Sequence, residues 1–202
     1  MPAAQPGIVL RIVRLQIQLD PVKPGRAPLR EYRPQVLQEV DRLHVTERGC
    51  TGSWSDGDGE RQAIDVHHQD HPKSRNRKGD AGVTVMGTGD YQRLRRRYGP
   101  HLVDGIAGES ILVDAPDGLA ETHFPAEFAI DTTAEMINFH LGRVAAPCVE
   151  FSRFCLREAP SAEASPAVRQ ALVDLDRGNR GYRAAAVDTG VISVGDELIL
   201  QR

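Results

Sequence analysis

Lysine is almost missing from this chain. Only Lys23, Lys73 and Lys78 occur among the 25 basic residues of 202, so nearly all positive charge is arginine. With 28 acidic residues the formal net charge is -3 and the pI about 6.2, so no global positive field recruits nucleic acid or an anionic membrane. Aromatic residues are also few, at 5%. The basic run Arg93, Arg95, Arg96 and Arg97 has no aromatic stacking platform beside it, which argues against a nucleic-acid partner. Cysteine is limited to Cys50, Cys148 and Cys155, an odd number without a CxxC pair. That argues against a disulfide framework and against a structural zinc site. No stretch approaches the roughly 18 apolar residues of a membrane span. No charged segment followed by an apolar core and a cleavage site opens the chain. A cytoplasmic location is the expectation, with no membrane partner. Internal repeats and low-complexity segments are absent as well.

What is present fits a folded globular chain: 40% hydrophobic and 26% charged residues. The length allows one large or two small domains. Residues 8–19 end in strict alternation, which predicts a half-buried strand with Leu15, Ile17 and Leu19 on one face. Prolines and Gly25 then break the chain into a long turn. Residues 42–46 alternate and read as a second strand, with helix an alternative for 34–40. Glu47 to Gly59 holds four glycines with Asp56 and Asp58 and reads as a flexible surface loop around Trp54, the only tryptophan. A short strand at 63–68 ends in paired histidines.

Residues 69–80 are strongly polar, with His71, Lys73, Arg75, Arg77 and Lys78. They read either as a solvated loop or as a phosphate-binding loop. Strand 82–86 leads into a helix capped by Thr88 or Asp90 and stopped by Gly99-Pro100, with Tyr91 and Leu94 facing inward. A glycine-rich turn at 105–109 enters a strand at 110–113, and further strands are expected within 119–130 and 134–141. Ser165-Pro166 opens a second helix with Val168, Ala171, Leu172 and Leu175 inward and Gly178 as its stop. Strands at 182–187 and 191–200 close the chain around a Gly195-Asp196 turn. Many short strands with few helices predict one mainly β domain, closed or sandwiched.

One stretch stands apart. In 142–154 a cysteine, Cys148, directly follows Pro147 at the end of a strand-like apolar run, between Arg143 and Arg153. Proline stiffens the turn, and a thiolate there would be able to ligate a metal or attack an electrophile. A small buried hydrophobe is the plainer reading of the same residue. Cys155, seven residues on in the apolar run, reads as core, and Cys50 as incidental.

Taken in order, several segments resemble one family. They are Gly57-Asp58-Gly59, Asp65-Val66-His67-His68, Gly108-Glu109-Ser110-Ile111-Leu112-Val113, Pro147-Cys148, Arg180-Gly181-Tyr182, and Gly190-Val191-Ile192-Ser193-Val194-Gly195-Asp196. That order is similar to the MOSC domain, named for the C-terminal domain of molybdenum cofactor sulfurases, and the likeness covers about residues 8–200 of a single domain, 1–202. It implies a mainly β, barrel-like fold with two or three short helices. It implies a molybdenum-pterin cofactor, with Cys148 as molybdenum ligand or persulfide carrier, in sulfur transfer or in reduction of N-hydroxylated substrates. Asp65, His67, His68, Gly108, Glu109, Arg143 and Arg153 are the implied cofactor-binding residues. Glu109 on its own reads as a carboxylate that steadies its turn.

This sequence departs from the family pattern at Ala145, where an arginine is usual, at Gln69 in the His-Gly-Gly segment, and at Ser110 after Gly-Glu. Arg75, Arg77, Arg143 or Arg153 would then supply the positive charge. With no pyridoxal-phosphate desulfurase domain in the chain, the implied partner is a separate sulfur donor that binds pyridoxal phosphate, or an electron-donor reductase. The alternative function is a non-catalytic β-barrel module that binds a small ligand and has lost the cofactor.

Overall fold

The computed structural model describes residues 7–120 and 124–200. In chain order the strands are β1 (Ile8–Gln18), β2 (Leu37–Glu39), β3 (Arg42–Thr46), β4 (Gly49–Ser55), β5 (Glu60–Ile64), β6 (Val83–Gly87), β7 (Ile111–Val113), β8 (Phe128–Asp131), β9 (Met136–Val144), β10 (Tyr182–Ala186), β11 (Gly190–Ser193) and β12 (Glu197–Leu200). The helices are α1 (Thr88–Tyr98), α2 (Val149–Leu156) and α3 (Pro166–Asp174), and a 3₁₀ turn spans Pro34–Val36. Residues 121–123, part of the strand expected within 119–130, lie outside the described residues.

Seven strands close a barrel in the order β1-β12-β8-β9-β10-β6-β7, returning to β1, and β2 extends from β1 at the seam. Closure removes the unpaired sheet edges that an open sheet would expose. Every neighbouring pair in the barrel is antiparallel except β6 with β7, which is parallel. A four-stranded antiparallel sheet, β11-β3-β4-β5, packs against the barrel. The expected mainly β, barrel-like fold is what the structure has, with three short helices. Among the described residues no helix is long and apolar enough to cross a membrane.

The parallel pair is buried on both faces. Val85 and Ile111 belong to the barrel interior with Ile12, Leu15, Phe139 and Leu198. Their chain neighbours Met86 and Leu112 point outward into a second cluster with Tyr91, Leu94, Leu102, Phe151 and Leu175. Successive strand residues face opposite sides, so a continuous apolar run is what a strand covered by helices requires. α1 supplies Tyr91 and Leu94 to that cluster and leaves Arg95, Arg96 and Arg97 in its last turn, where cations complement the helix dipole. Ser165 caps α3 by accepting from the Val168 N–H at 3.1 Å, with Pro166 in the first turn.

Three sequence expectations change. Residues 47–59 are mostly strand: β4 carries buried Cys50, Gly52 and Ser53. Its glycines serve close packing, since a Cβ on Gly52 would lie 2.7 Å from Val40 Cγ1 and 2.9 Å from Ile17 Cγ2. Second, the short strand expected at 63–68 is β5 at Glu60–Ile64 with a turn over 65–68, while the segment after Pro147, given no element in the sequence, is helix α2 with Phe151 and Cys155 one turn apart on its buried side. Third, β1 is buried on both faces at its C-terminal end, where Gln16 and Gln18 are as hidden as Leu15 and Ile17, while Leu19 is exposed.

Overpacking a filled core costs roughly 1–3 kcal/mol. Gly52→Ala is therefore expected to lower stability by about that amount in chemical denaturation. Adding Val40→Ala, which removes the nearer of the two clashing methyls, is expected to restore part of the loss rather than add a second one.

Candidate functional site

The loop between α1 and β7 turns sharply at Gly105 and Gly108, both at positive φ (87° and 83°), a conformation glycine adopts without a Cβ penalty. Its four successive carbonyl oxygens are each held by a side chain. Gln16 Nε2 donates to Gly105 O at 2.7 Å, Tyr32 OH to Ile106 O at 2.8 Å, an Arg180 Nη to Ala107 O at 3.0 Å, and Gln18 Nε2 to Gly108 O at 2.7 Å. The two glutamines are the buried polar residues of β1. Tyr91 OH, reaching up from α1, accepts the Ala107 N–H at 2.9 Å and donates to Glu109 Oε2 at 2.7 Å. Glu109 is 4% exposed, and its Oε1 is buried with no hydrogen-bond partner.

This loop forms one wall of a cleft of about 340 Å³. The β1 end and the segment after it contribute Gln18, Val22 and Lys23, and the polar 66–81 loop contributes His67, Lys73, Arg75, Asn76 and Asp80. The remaining wall is the outer surface of β9, β10 and β6. There Arg143, Arg183 and Thr84 stand side by side in register across the three strands, and all three line the cleft. Arg180 enters beside them, just before Gly181, whose positive φ of 82° lets the backbone lie against Val85 and Met86.

Like charges directly opposite on neighbouring strands repel. Asp80 offsets Arg143 at 2.8 Å, and Asp20 takes Lys73 at 2.7 Å. Arg180 and Arg183 form no ion pair with a carboxylate among the described residues, and the Nε of each is buried without a partner. Burial and the neighbouring Arg180 and Arg143 hold the Arg183 guanidinium below its ordinary value. Burial also opposes the charge on Arg180, but Cys148, Tyr32, Tyr91 and Glu109 together hold that group above its ordinary value. Arg180 further stacks over the Phe151 ring at 4.9 Å.

The residues implied by sequence divide into two sets. His67, Gly108, Glu109 and Arg143 line the cleft. Asp65, His68 and Arg153 do not. Asp65 is 1% exposed and ties the turn to β1: Oδ2 accepts the Gln18 N–H at 2.7 Å, and Oδ1 accepts from His67 N at 2.7 Å and lies 2.8 Å from His67 Nδ1. It thereby orients His67 toward the cleft. His68 is buried under Gly49, its Nδ1 accepting the Asp70 N–H at 3.2 Å. Arg153 clasps the carbonyls of Pro28, Ser161 and Glu163 and so fastens the chain around α2, which is a structural duty.

Cys148 sits at the N-cap of α2, two residues after the cleft-lining Ala146. It is half-buried against the helical cluster and interacts electrostatically with Arg180, Arg183 and Tyr32. Burial pushes Cys155 up to about 12 and Cys50 well above the usual thiol value, in keeping with core roles. Of the polar 69–80 loop, Lys73, Arg75, Asn76 and Asp80 are on the cleft wall, whereas Arg77 and Lys78 are exposed away from it. Arg180, Arg183, Lys23 and Gln18 had no assigned role in the sequence. The only local signal was an Arg-Gly-Tyr-Arg run, in which the glycine implies close backbone approach.

Burial pushes the Glu109 carboxyl up to about 7, with the Tyr91 hydrogen bond opposing it. The folded state then holds a proton that the unfolded chain releases near its ordinary carboxyl value. Stability from this group is fully present below about pH 4.5 and is lost as pH rises through about 7, a change on the order of 3 kcal/mol. Glu109→Gln is expected to remove that decline, so that its thermal midpoints at about pH 5 and pH 8 differ less than those of the wild type.

No family model matches the chain, and no curated protein matches its sequence. Solved structures do match. The YUAD protein from Bacillus subtilis superposes with a TM-score of 0.57 at 12% identity, over 97% of this chain and 98% of that one. YiiM from Geobacillus stearothermophilus gives 0.55 at 13%, over 96% and 75%. YiiM from Escherichia coli gives 0.51 at 15%, over 82% and 65%. At such identities the likeness is one of fold. YuaD and YiiM are MOSC-domain proteins, and the fold of this chain is similar to theirs.

Proposed function

We propose that this chain is a MOSC-type protein whose arginine-lined cleft binds the anionic molybdenum-pterin cofactor, with Cys148 at its edge as molybdenum ligand or sulfur carrier. The observation that supports the reading best is the row Arg143, Arg183 and Thr84, with Arg180 beside it. Two of these guanidiniums lack a carboxylate partner, and each has a buried, unsatisfied Nε. A phosphate group supplies acceptors for both and cancels their repulsion. The cleft volume of about 340 Å³ is of the size that holds small ligands.

The residues present fit such a group. Among the described residues no set of three His, Cys, Asp or Glu side chains converges on a metal position. The protein would therefore offer molybdenum one soft thiolate, from Cys148, and the pterin would provide the other ligands. When bound, the cofactor would supply redox chemistry at the metal, and in the sulfur-carrier form Cys148 would hold sulfur as a persulfide. The chain's own residues do the rest: Arg180 and Arg183 hold the anion, the Gly105–Gly108 loop keeps Glu109 in place, and α2 presents the thiol. Sulfur would arrive on Cys148 from a separate pyridoxal-phosphate-dependent desulfurase. In the redox form, electrons would arrive from a separate reductase. The reading places the protein in the cytoplasm.

A second reading is favoured by one observation. Cys148 is not on the cleft wall but packs with the helical cluster. A binding module that holds an anion without covalent chemistry fits that placement.

Metal analysis and intact-mass measurement of protein made in a host that synthesises the cofactor separate the two. Near-stoichiometric molybdenum or a persulfide on Cys148, either of them lost in Cys148→Ser, is the expected result. Molybdenum well below stoichiometric together with an unmodified Cys148 overturns the first reading. Replacing Arg180 and Arg183 by alanine is expected to weaken anion binding by about tenfold or more, since a hydrogen bond to a charged group contributes roughly 1.5–3 kcal/mol.

A further inference from the structure

Glu109 is the one carboxylate that shares the loop wall with Arg180, yet it makes no ion pair with any arginine of the cleft among the described residues. The groups that face it are Tyr91 from α1, Arg14 from β1, Arg180 ahead of β10, and Tyr32 from the segment after β1. Arg14 is already paired with Glu39. Oε2 is satisfied by Tyr91, and Oε1 is left with nothing. A buried carboxylate oxygen without a partner is costly, and a buried carboxylate beside an incoming dianion is costlier still. A carboxylic acid at the same place is not. Its Oε1–H needs an acceptor, and an oxyanion held by Arg180 and Arg183 brings one into the same cleft.

We infer that Glu109 binds the ligand as a neutral acid, donating a hydrogen bond from Oε1 to an oxygen of the bound oxyanion, so that the site takes up a proton together with its anion. The inference rests on the anion-cleft reading above. The balance is simple: one proton passes from solvent to the Glu109 carboxylate, no bond of the ligand is made or broken, and the complex gains one positive charge against the dianion. Such a site prefers a doubly charged oxyanion of the phosphate or sulfate type. It selects against an anion that has no oxygen to accept the Glu109 proton. That Glu109 carboxyl sits near 7 by burial means the uptake falls in the neutral range. Tyr91 is a positioning residue in this scheme, because its OH fills Oε2 and leaves Oε1 for the ligand.

Inorganic sulfate is the probe, since its own charge is constant over the neutral range. Calorimetric titration of the full chain with sulfate near pH 7 is run in two buffers of different ionisation enthalpy. The wild type is expected to take up about half a proton per sulfate at that pH, and its affinity is expected to fall up to tenfold per pH unit above it. Glu109→Gln is expected to bind sulfate with no proton uptake and a flat pH profile. Tyr91→Phe removes a hydrogen bond that favours the charged carboxylate, so its pH profile is expected to move to higher pH, a shift that a purely structural role for the pair does not produce. His67→Gln is expected to keep the uptake. Sulfate binding without uptake, or uptake that persists in Glu109→Gln and vanishes in His67→Gln, overturns the inference and leaves the anion cleft standing. Absence of sulfate binding in both the wild type and Glu109→Gln overturns the cleft reading and the inference with it.

Discussion

Four successive carbonyl oxygens, from Gly105 to Gly108, are each bound by a side chain that comes from elsewhere in the fold. Gly105 O also accepts the Gly108 N–H at 2.9 Å, but the carbonyls of Ile106, Ala107 and Gly108 would otherwise be unsatisfied against the barrel wall, each costing about 1–3 kcal/mol. The donors are spread along the chain: Gln16 and Gln18 on β1, Tyr32 after it, and Arg180 ahead of β10. Satisfying the loop therefore fixes the relative positions of barrel, connection and cleft together. It explains why β1 ends with two buried glutamines and why Tyr32, although buried among Phe151 and Phe154, must be a tyrosine. It also delivers Glu109 to the cleft with one oxygen spent and one free.

Charge is local in this protein. The net charge of -3 is no guide to a cleft in which Arg143, Arg180 and Arg183 converge. Acidic residues at the rim neutralise the outer cations: Asp80 takes Arg143 and Asp20 takes Lys73. The inner pair, Arg180 and Arg183, has no carboxylate partner among the described residues and is the pair that the proposed anion site would use. Arginine would suit that task because its planar fork binds oxyanions through paired hydrogen bonds, and because the Arg180 guanidinium lies over Phe151 while donating to the loop. Two of the three lysines, Lys23 and Lys73, line the same cleft, and most arginines of the chain lie elsewhere.

Where local pattern carries the physics, the sequence was readable. The strands β6 and β7, the Ser165-Pro166 start of α3 and the Gly99-Pro100 stop of α1 all appear in the structure. The glycines of 49–52 misled, because a glycine needed for close strand packing looks the same in sequence as one needed for a loop. The paired histidines misled as the end of a strand, because Asp65 turns the chain there by accepting from the Gln18 and His67 N–H groups. Of the residues named from the family likeness, His67, Gly108, Glu109 and Arg143 line the cleft, whereas Asp65, His68 and Arg153 hold backbone and neighbours away from its wall.

A mainly β chain with few helices, a cysteine after a stiffening proline, and a glycine-rich entry to β7 could be read from local pattern alone, because dihedral preference and hydrophobic period are properties of neighbouring residues. Which arginines share the cleft wall is set by the folded chain. Arg143 and Arg183 become neighbours through the β9–β10 register, and Arg180 and Glu109 meet because one loop must have its carbonyls satisfied. Those are contacts between residues far apart in the chain, set by barrel closure and hydrogen-bond satisfaction, and no local pattern encodes them.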